Sequence, residues 1–289
     1  MAKSNLKVKK SVTDLKVVDK NAVKTTSYSD INLKQWRNYD HVKTDTLWEF
    51  PTRLKEGGHS NEYHGNYIPQ IAQQIYERYT KKGDVVLDLF FGSGTSGIEA
   101  INMGRRCIGV ELKDELAEKV SEKFTPKQLV TDVNIICADS ASELAKDKIN
   151  ARLEIMGEKK AQLLMLHPPY DDIIKFSDKK EDLSNCATTE EFYDLFEKVA
   201  KNGYDLLEKG RFACLIIGDK YANSQHIPLG FECMARMNKL GFITKAIIIK
   251  DMQGNERAKG KTANLWRYRA LAGGFYIFKH EYVMVFQKV

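Results

Sequence analysis

The sequence predicts a doubly wound α/β domain with a mostly parallel sheet, and three observations carry that reading. Short apolar runs alternate with segments of helical period from about residue 68 onward, the pattern of strands joined by covering helices. A glycine-rich turn follows the first of those runs, and acidic residues close three of them in succession. A chain of 289 residues, 43% apolar and 29% charged, is long enough for one such domain and too apolar for disorder throughout.

Each element has its own signal. Ile71, Ile75, Tyr76 and Tyr79 mark one face of a helix, Gly83-Asp84 makes a turn, and Val85-Val86-Leu87 reads as a buried strand. A helix through Ile98 to Met103 ends at Gly104, and Cys107 to Val110 forms the second strand. Helix 114–123, strand 133–137, helix 141–156 and strand 163–166 follow. Thr188 opens a helix with a T-x-x-E capping box to Glu191, and Phe192, Leu195, Phe196 and Val199 line its inner face. Strand 212–217, helix 228–240, strand 243–249 and a last strand within 275–287 complete the series, with no internal repeat and no second core. Residues 1–30, rich in Lys, Ser, Thr and Val without a lasting period, read as a flexible basic tail or loosely docked arm, leaving 31–289 as a single domain. The insert 251–273 has little apolar content and is expected to project as a loop.

The net charge of +6 is unevenly placed. Residues 1–30 hold seven Lys against three Asp, and 250–269 hold six basic side chains against two acidic ones. The rest is nearly neutral, so the pattern is a globule with two basic appendages, which points to a polyanionic partner. No apolar run approaches the roughly 18–20 residues of a membrane span, and the basic N-terminus lacks the apolar segment of a secretion signal. A cytoplasmic location with no membrane partner is therefore expected. Five cysteines without a C-x-x-C pair indicate neither a disulfide framework nor a zinc site, and no metal is expected.

The most informative stretch runs from Val85 to Ser96, VVLDLFFGSGTS. A buried strand delivers Asp88 to the carboxyl edge of the sheet, where Gly92 and Gly94 let the backbone pass close to a ligand before a helix starts near Thr95. Glu111 closes the next strand, 23 residues after Asp88, where a carboxylate can accept bonds from both ribose hydroxyls. Asp139 closes the third and can accept one from an adenine amino group. An isolated glycine pair would be an ordinary strand-to-helix turn; three carboxylates ending successive strands make it a nucleoside site. No G-K-[ST] follows and the glycines do not fit G-x-G-x-x-G, so the cofactor lacks a pyrophosphate.

His167-Pro-Pro-Tyr170 follows the buried strand 163–166 at the same edge. Pro168 and Pro169 lack N–H groups and fix φ, leaving rigid carbonyls directed outward. Two such carbonyls can accept the N–H bonds of an amino group and free its lone pair for attack, and Tyr170 supplies a face on which a planar ring can stack.

DLFFGSGTS, with GVEL one strand later, resembles the cofactor motif of S-adenosylmethionine-dependent DNA amino-methyltransferases, the adenine-N6 and cytosine-N4 family of restriction-modification systems. The resemblance runs from about Trp48 to the C-terminus and implies a Rossmann-like class I methyltransferase. It also implies that Asp88, Gly92, Gly94 and Thr95 serve the methionine and backbone side of the cofactor and Glu111 its ribose. His64-Gly-Asn-Tyr-Ile-Pro69 keeps the His and Pro spacing of the family's HPTQKP-like segment, which places Asn66 or Tyr67 at the methionine end. His167 stands where the family has Asp, Asn or Ser. A neutral imidazole accepts one bond and imidazolium none, so methyl transfer is expected to weaken as pH falls through the His167 titration. Adenine N6 is favoured over cytosine N4.

Basic and planar residues interleave in the insert: Arg257, Lys259, Lys261, Trp266, Arg267 and Arg269 are the candidate DNA contacts. Residues 171–185 follow the catalytic motif and are expected as a mobile lid, and Asp219 as a candidate for the base pocket. His280-Glu281-Tyr282 reads as structural, and His41, His59 and His226 as unrelated to metal. Three alternatives remain: methylation of RNA, methylation of a protein amide, or a catalytically silent DNA-binding subunit. A homodimer, a partner subunit and a cognate restriction endonuclease are candidate associations.

Overall fold

The computed structural model describes residues 25–59, 63, 65–252 and 263–289. In chain order, β1 (Leu47–Trp48) is followed by α1 (Pro69–Tyr79), β2 (Val85–Asp88), α2 (Thr95–Asn102), β3 (Arg106–Glu111), α3 (Asp114–Ser121), α4 (Pro126–Thr131) and β4 (Val133–Cys137). Then come α5 (Glu143–Ile155), β5 (Ala161–Leu166), α6 (Thr189–Leu206), β6 (Leu207–Ile217) and the hairpin strands β7 (Lys220–Ala222) and β8 (Gln225–Ile227). The last elements are α7 (Leu229–Lys239), β9 (Phe242–Asp251), α8 (Ala263–Gly273) and β10 (His280–Lys288).

Among the described residues the main sheet has the order β1-β9-β10-β6-β5-β2-β3-β4. All neighbours are parallel except β10, which runs antiparallel to both β6 and β9. Outward from β2 the chain builds β3 and β4; on the other side it builds β5 and β6. The strand order therefore reverses between β2 and β5, and a crevice opens at their carboxyl ends.

Side-chain alternation along the strands decides which layer each residue joins. Val85 and Leu87 of β2, Ile108 of β3, Leu164 of β5 and Leu215 of β6 face a core covered by Ile149, Phe192, Phe196 and Met237 of α5, α6 and α7. Val86, Cys107, Leu163 and Cys214 face the other way, against Ile71, Tyr76 and Ile98 of α1 and α2. Burying each large apolar side chain contributes about 1.5–3 kcal/mol, and strands apolar on both faces require helices on both.

Helix ends follow local chemistry. Pro69 occupies the first turn of α1, and Gly94, at φ 86°, caps α2 in a left-handed conformation a side chain would resist. Thr188 Oγ1 accepts from Glu191 N–H at 3.2 Å as expected. The Glu191 carboxylate, however, accepts from Ala187 N–H, one residue before the cap.

Three boundaries differ from expectation. Residues 263–273 are a helix rather than part of a loop. Ala, Leu and Arg favour a helix whether or not one face is buried, and no buried stripe marks this one, since Leu265, Trp266, Tyr268 and Leu271 are all exposed. Residues 26–30 belong to the globule: Tyr28 packs edge-on to Phe212 with centroids 4.8 Å apart, and the Asp30 carboxylate accepts from Lys82 N–H at 2.7 Å. Strand β6 begins at Leu207, where a register shift beside β5 admits Gly210 at φ 84°.

The glycine turn is held from beneath by Phe91. A Cβ on Gly109 of β3 would lie 2.2 Å from the Phe91 ring, so the ring rests directly on the strand. Gly109→Ala is expected to lower the unfolding free energy by ~1–3 kcal/mol, read from the urea midpoint, and to weaken ligand binding at the displaced turn.

Candidate active site

A cavity of about 720 Å³ lies along the carboxyl edge over the crevice, within the ~300–1,000 Å³ usual for small-molecule sites. Gly92, Glu111 and Asp139 line one end, His167, Tyr170 and Glu281 the other, with Asn66 and Tyr67 between.

At the first end, Glu111 at the tip of β3 accepts from Gly92 N–H through Oε2 and from Lys113 N–H through Oε1, each at 2.9 Å. It fixes the turn while still facing the cavity. Burial pushes its carboxyl up to about 7 despite those N–H groups. Thr95 lines the same end, and Asp139, whose Oδ1 accepts from Ala141 N–H at 2.9 Å, is presented by the exit of β4. Asp88 and Gly94 do not line the cavity. Asp88 is buried beneath the turn, where it accepts from Phe90 N–H at 2.9 Å and from the Ser96 hydroxyl. With that hydroxyl proton spent, Tyr67 OH donates to Ser96 Oγ at 2.5 Å. Burial raises Asp88 to about 6, against the Ser96 and Phe90 donors. These two predicted residues build the turn from below.

The residues fit a nucleoside carrying an amino-acid end. Asn66 Oδ1 accepts from Ser93 Oγ at 2.7 Å, and its Nδ2 is buried at the cavity wall without a partner among the described residues. A buried amide donor left unsatisfied costs about 1–3 kcal/mol, which a ligand carboxylate would recover. Glu111 and Asp139 supply acceptors at the other positions.

At the second end, β5 exits into His167-Pro168-Pro169-Tyr170, all lining the cavity. The His167 ring sits edge-on to Tyr67 and to Tyr170, with centroids at 5.3 and 5.8 Å. Gly218 at the end of β6 makes room for Tyr170, since a Cβ there would lie 2.9 Å from its ring. Tyr170 OH donates to Glu281 Oε2 at 2.8 Å, and Lys250 Nζ lies 3.0 Å from Glu281 Oε1. Burial lowers the His167 imidazole to about 4; Glu281 pulls the other way, while Lys250 and Arg53 reinforce the fall. The expected loss of methyl transfer through an ordinary histidine titration is thereby corrected: in this packing the ring is neutral throughout the physiological range.

Other expectations also change. Asp219 is buried away from the cavity, bracketing α7 and β10 by accepting from Gly230 N–H, Tyr282 OH and His226. Residues 171–185 form a roof tied to the globule: Lys179 Nζ donates to Leu112 O at 2.6 Å, and Lys113 Nζ donates to Phe176 O at 3.1 Å. Asp171, at φ 53°, anchors the start by accepting from Lys220 Nζ and Thr189 Oγ1. Of His280-Glu281-Tyr282, only Glu281 reaches the cavity, a role the sequence pattern does not signal. Lys250, counted with the exposed basic block, is 1% exposed. Trp266, Arg267 and Arg269 are exposed on α8, with the Arg269 guanidinium 5.3 Å over the Trp266 ring. Arg257, Lys259 and Lys261 lie outside the described residues, as do His64 and the chain before residue 25. No helix among the described residues is long and apolar enough to cross a membrane.

A doubly wound sheet with this cavity at its switch point is a Rossmann-like arrangement built to take a nucleoside-type ligand. The chain belongs to the DNA methylase family, whose model matches residues 3–123 and 161–289. The Mod subunit of a probable type III restriction-modification enzyme, HindVI, from Haemophilus influenzae is 33% identical over 100 residues, 33% of this chain and 13% of that protein. The DNA adenine methyltransferase YhdJ of Escherichia coli is 33% identical over 112 residues, 38% of this chain and 35% of that one. This chain thus aligns with about a third or less of the length of those relatives. Among solved structures, TrmN from Thermus thermophilus superposes on 77% of this chain and 49% of its own with a TM-score of 0.48 at 15% identity.

Proposed function

We propose that the protein transfers a methyl group from S-adenosylmethionine to an exocyclic amino group of an extruded DNA base. The observation that carries this is one cavity joining the Gly92–Glu111–Asp139 end to the His167–Tyr170 end. Adenine N6 is the preferred acceptor, in keeping with the adenine methyltransferase among the relatives. Asn66 holds the amino-acid end of the cofactor, Glu111 its ribose and Asp139 its adenine. When bound, the cofactor supplies a methyl carbon activated by a positively charged sulfur.

The chain's own residues then prepare the nucleophile. Tyr170 stacks on the extruded base. Neutral His167 and the carbonyl of Pro168, stiffened by Pro169, accept the two N–H bonds of the amino group, which frees its lone pair and stabilises the charge that grows on nitrogen. The arrangement needs no general base before transfer: the carbon–sulfur bond breaks with its electrons left on sulfur as the nitrogen–carbon bond forms, and the methylated nitrogen afterwards gives up its surplus proton to solvent.

The test supplies methyl-labelled cofactor to the full-length protein with duplex DNA, RNA or a glutamine-containing polypeptide. Label on the amino group of a DNA base is expected. Label confined to RNA or protein, or cofactor retained with no transfer, would replace this reading with one of the alternatives.

Exposed Arg267 and Arg269 on α8 are proposed to contact phosphate, with Trp266 beside them, and Arg257, Lys259 and Lys261 of the same insert to extend that contact. Neutralising Arg267 and Arg269 together is expected to weaken duplex binding and to reduce the slope of log K against log salt by about 2; an unchanged slope returns α8 to the status of a solvated helix. A cytoplasmic setting and association with a second copy or a cognate endonuclease fit the Mod-subunit relative, and analytical ultracentrifugation with and without DNA reports the first association.

A further inference from the structure

Two buried charges stand in the wall of the cavity with no part in the steps above. Lys250 is 1% and Glu281 6% exposed, and they face each other on β9 and β10 in direct register. The ammonium lies 3.0 Å from Oε1, a close buried ion pair. Removing two charges from water is costly unless they are paired, and an apolar pair would fill a strand interior at lower cost. The other carboxylate oxygen is spent on Tyr170, whose hydroxyl in turn lies 3.4 Å from His167 Nε2.

We propose that Glu281, balanced by Lys250 and acting through the Tyr170 hydroxyl, fixes the proton of neutral His167 on Nε2 and leaves Nδ1 as the acceptor. This rests on the reading of His167 as acceptor for the amino group. The order of donors follows from counting protons. A carboxylate has only acceptors, so the single Tyr170 hydroxyl proton points to Glu281 Oε2 at 2.8 Å. The phenol oxygen then presents lone pairs toward Nε2, which repel a ring lone pair and attract an N–H. A neutral imidazole with Nε2–H carries its free lone pair on Nδ1, for which no hydrogen-bond partner is found among the described residues.

Lys250 has a separate task. An uncompensated carboxylate would favour imidazolium, which cannot accept at all. With the ammonium 3.0 Å from Glu281, the carboxylate stays ionised and its field at His167 is largely cancelled. Glu281 and Lys250 are thus positioning residues that act through Tyr170 and do not touch the base.

The test reads the tautomer directly, by long-range proton–nitrogen spectra of the full-length protein labelled with ¹⁵N-histidine, the His167 signals being identified by their loss in His167→Asn. The Nε2–H form is expected without any substrate. In Glu281→Gln the amide can donate to the phenol oxygen, turning the Tyr170 proton toward Nε2 and switching His167 to Nδ1–H. The methyl-transfer rate should then fall about tenfold or more, with KM for DNA and cofactor within about twofold, since only the acceptor is lost. Where Glu281→Gln alone fails to fold because Lys250 is left unpaired, Lys250→Met with Glu281→Gln removes both charges and should give the same switch. An Nδ1–H tautomer in the unaltered protein, or an Nε2–H signal that survives both variants, overturns the proposal. If no substrate is methylated while the Nε2–H form and its switch are observed, the functional reading fails and the tautomer assignment stands.

Discussion

His167→Ala is expected to slow single-turnover methyl transfer by about 10²–10³-fold while cofactor affinity stays within about twofold, the loss usual when one preorganised partner of a developing charge is removed. The proposed cofactor end is built by other residues, so binding is expected to be spared: Glu111 and the Gly92 turn are held by backbone N–H groups, and Asn66 by Ser93. His167→Ala with an unchanged rate would remove the imidazole from the mechanism. The pH profile separates chemistry from binding. With the imidazole held down to about 4 by burial, the transfer rate at saturating cofactor should be flat between about pH 5.5 and 8. A rate that instead fell through the ordinary histidine range would mean that the ring is solvated in the working enzyme.

What the sequence made legible was the part of the fold that local pattern specifies. The turn from Asp88 to Thr95, the acids ending three strands and the rigid exit at Pro168-Pro169 are each written in a few adjacent residues, and the parallel sheet brings them to one edge. What it hid depends on which strands become neighbours. Lys250 and Glu281 lie 31 positions apart, and nothing local says that β9 and β10 place them in register; a lysine at the end of a basic block looks exposed until a strand covers it. Asp88 was legible as important but misplaced, because a residue at a strand end can face either the ligand or the turn beneath it. Here Ser96 and Phe90 take its oxygens. The pKa of His167 was out of reach for the same reason: the Tyr67 ring packed edge-on to the imidazole comes from a distant loop. Helix α8 was hidden because an apolar stripe is the usual mark of a helix, and this segment's propensity stands without one.

Glu111→Gln is expected to weaken cofactor binding by about 10–100-fold, since a charged acceptor of two hydroxyl protons is worth roughly twice a neutral one per bond. The same carboxylate makes affinity depend on pH. In the free protein burial holds it at about 7, and hydroxyl donors favour the ionised form, so affinity is full above that value and falls by up to about tenfold per pH unit below it. Glu111→Gln should remove most of that slope. Stability carries the opposite sign. Because the folded pKa of about 7 exceeds the ordinary 4.5, the folded protein binds the extra proton, and about 3 kcal/mol of stability present below pH 4.5 is lost as pH rises through 7. Asp88, raised to about 6, adds to that trend, whereas His167, lowered from 6.5 to about 4, opposes it across its own window. A melt of the unaltered protein therefore mixes several slopes, and the difference between it and Glu111→Gln isolates one. That difference should shrink when cofactor is bound, because hydroxyl donors satisfy the charge that burial had made costly; a difference that persists would mean that the ribose does not reach Glu111.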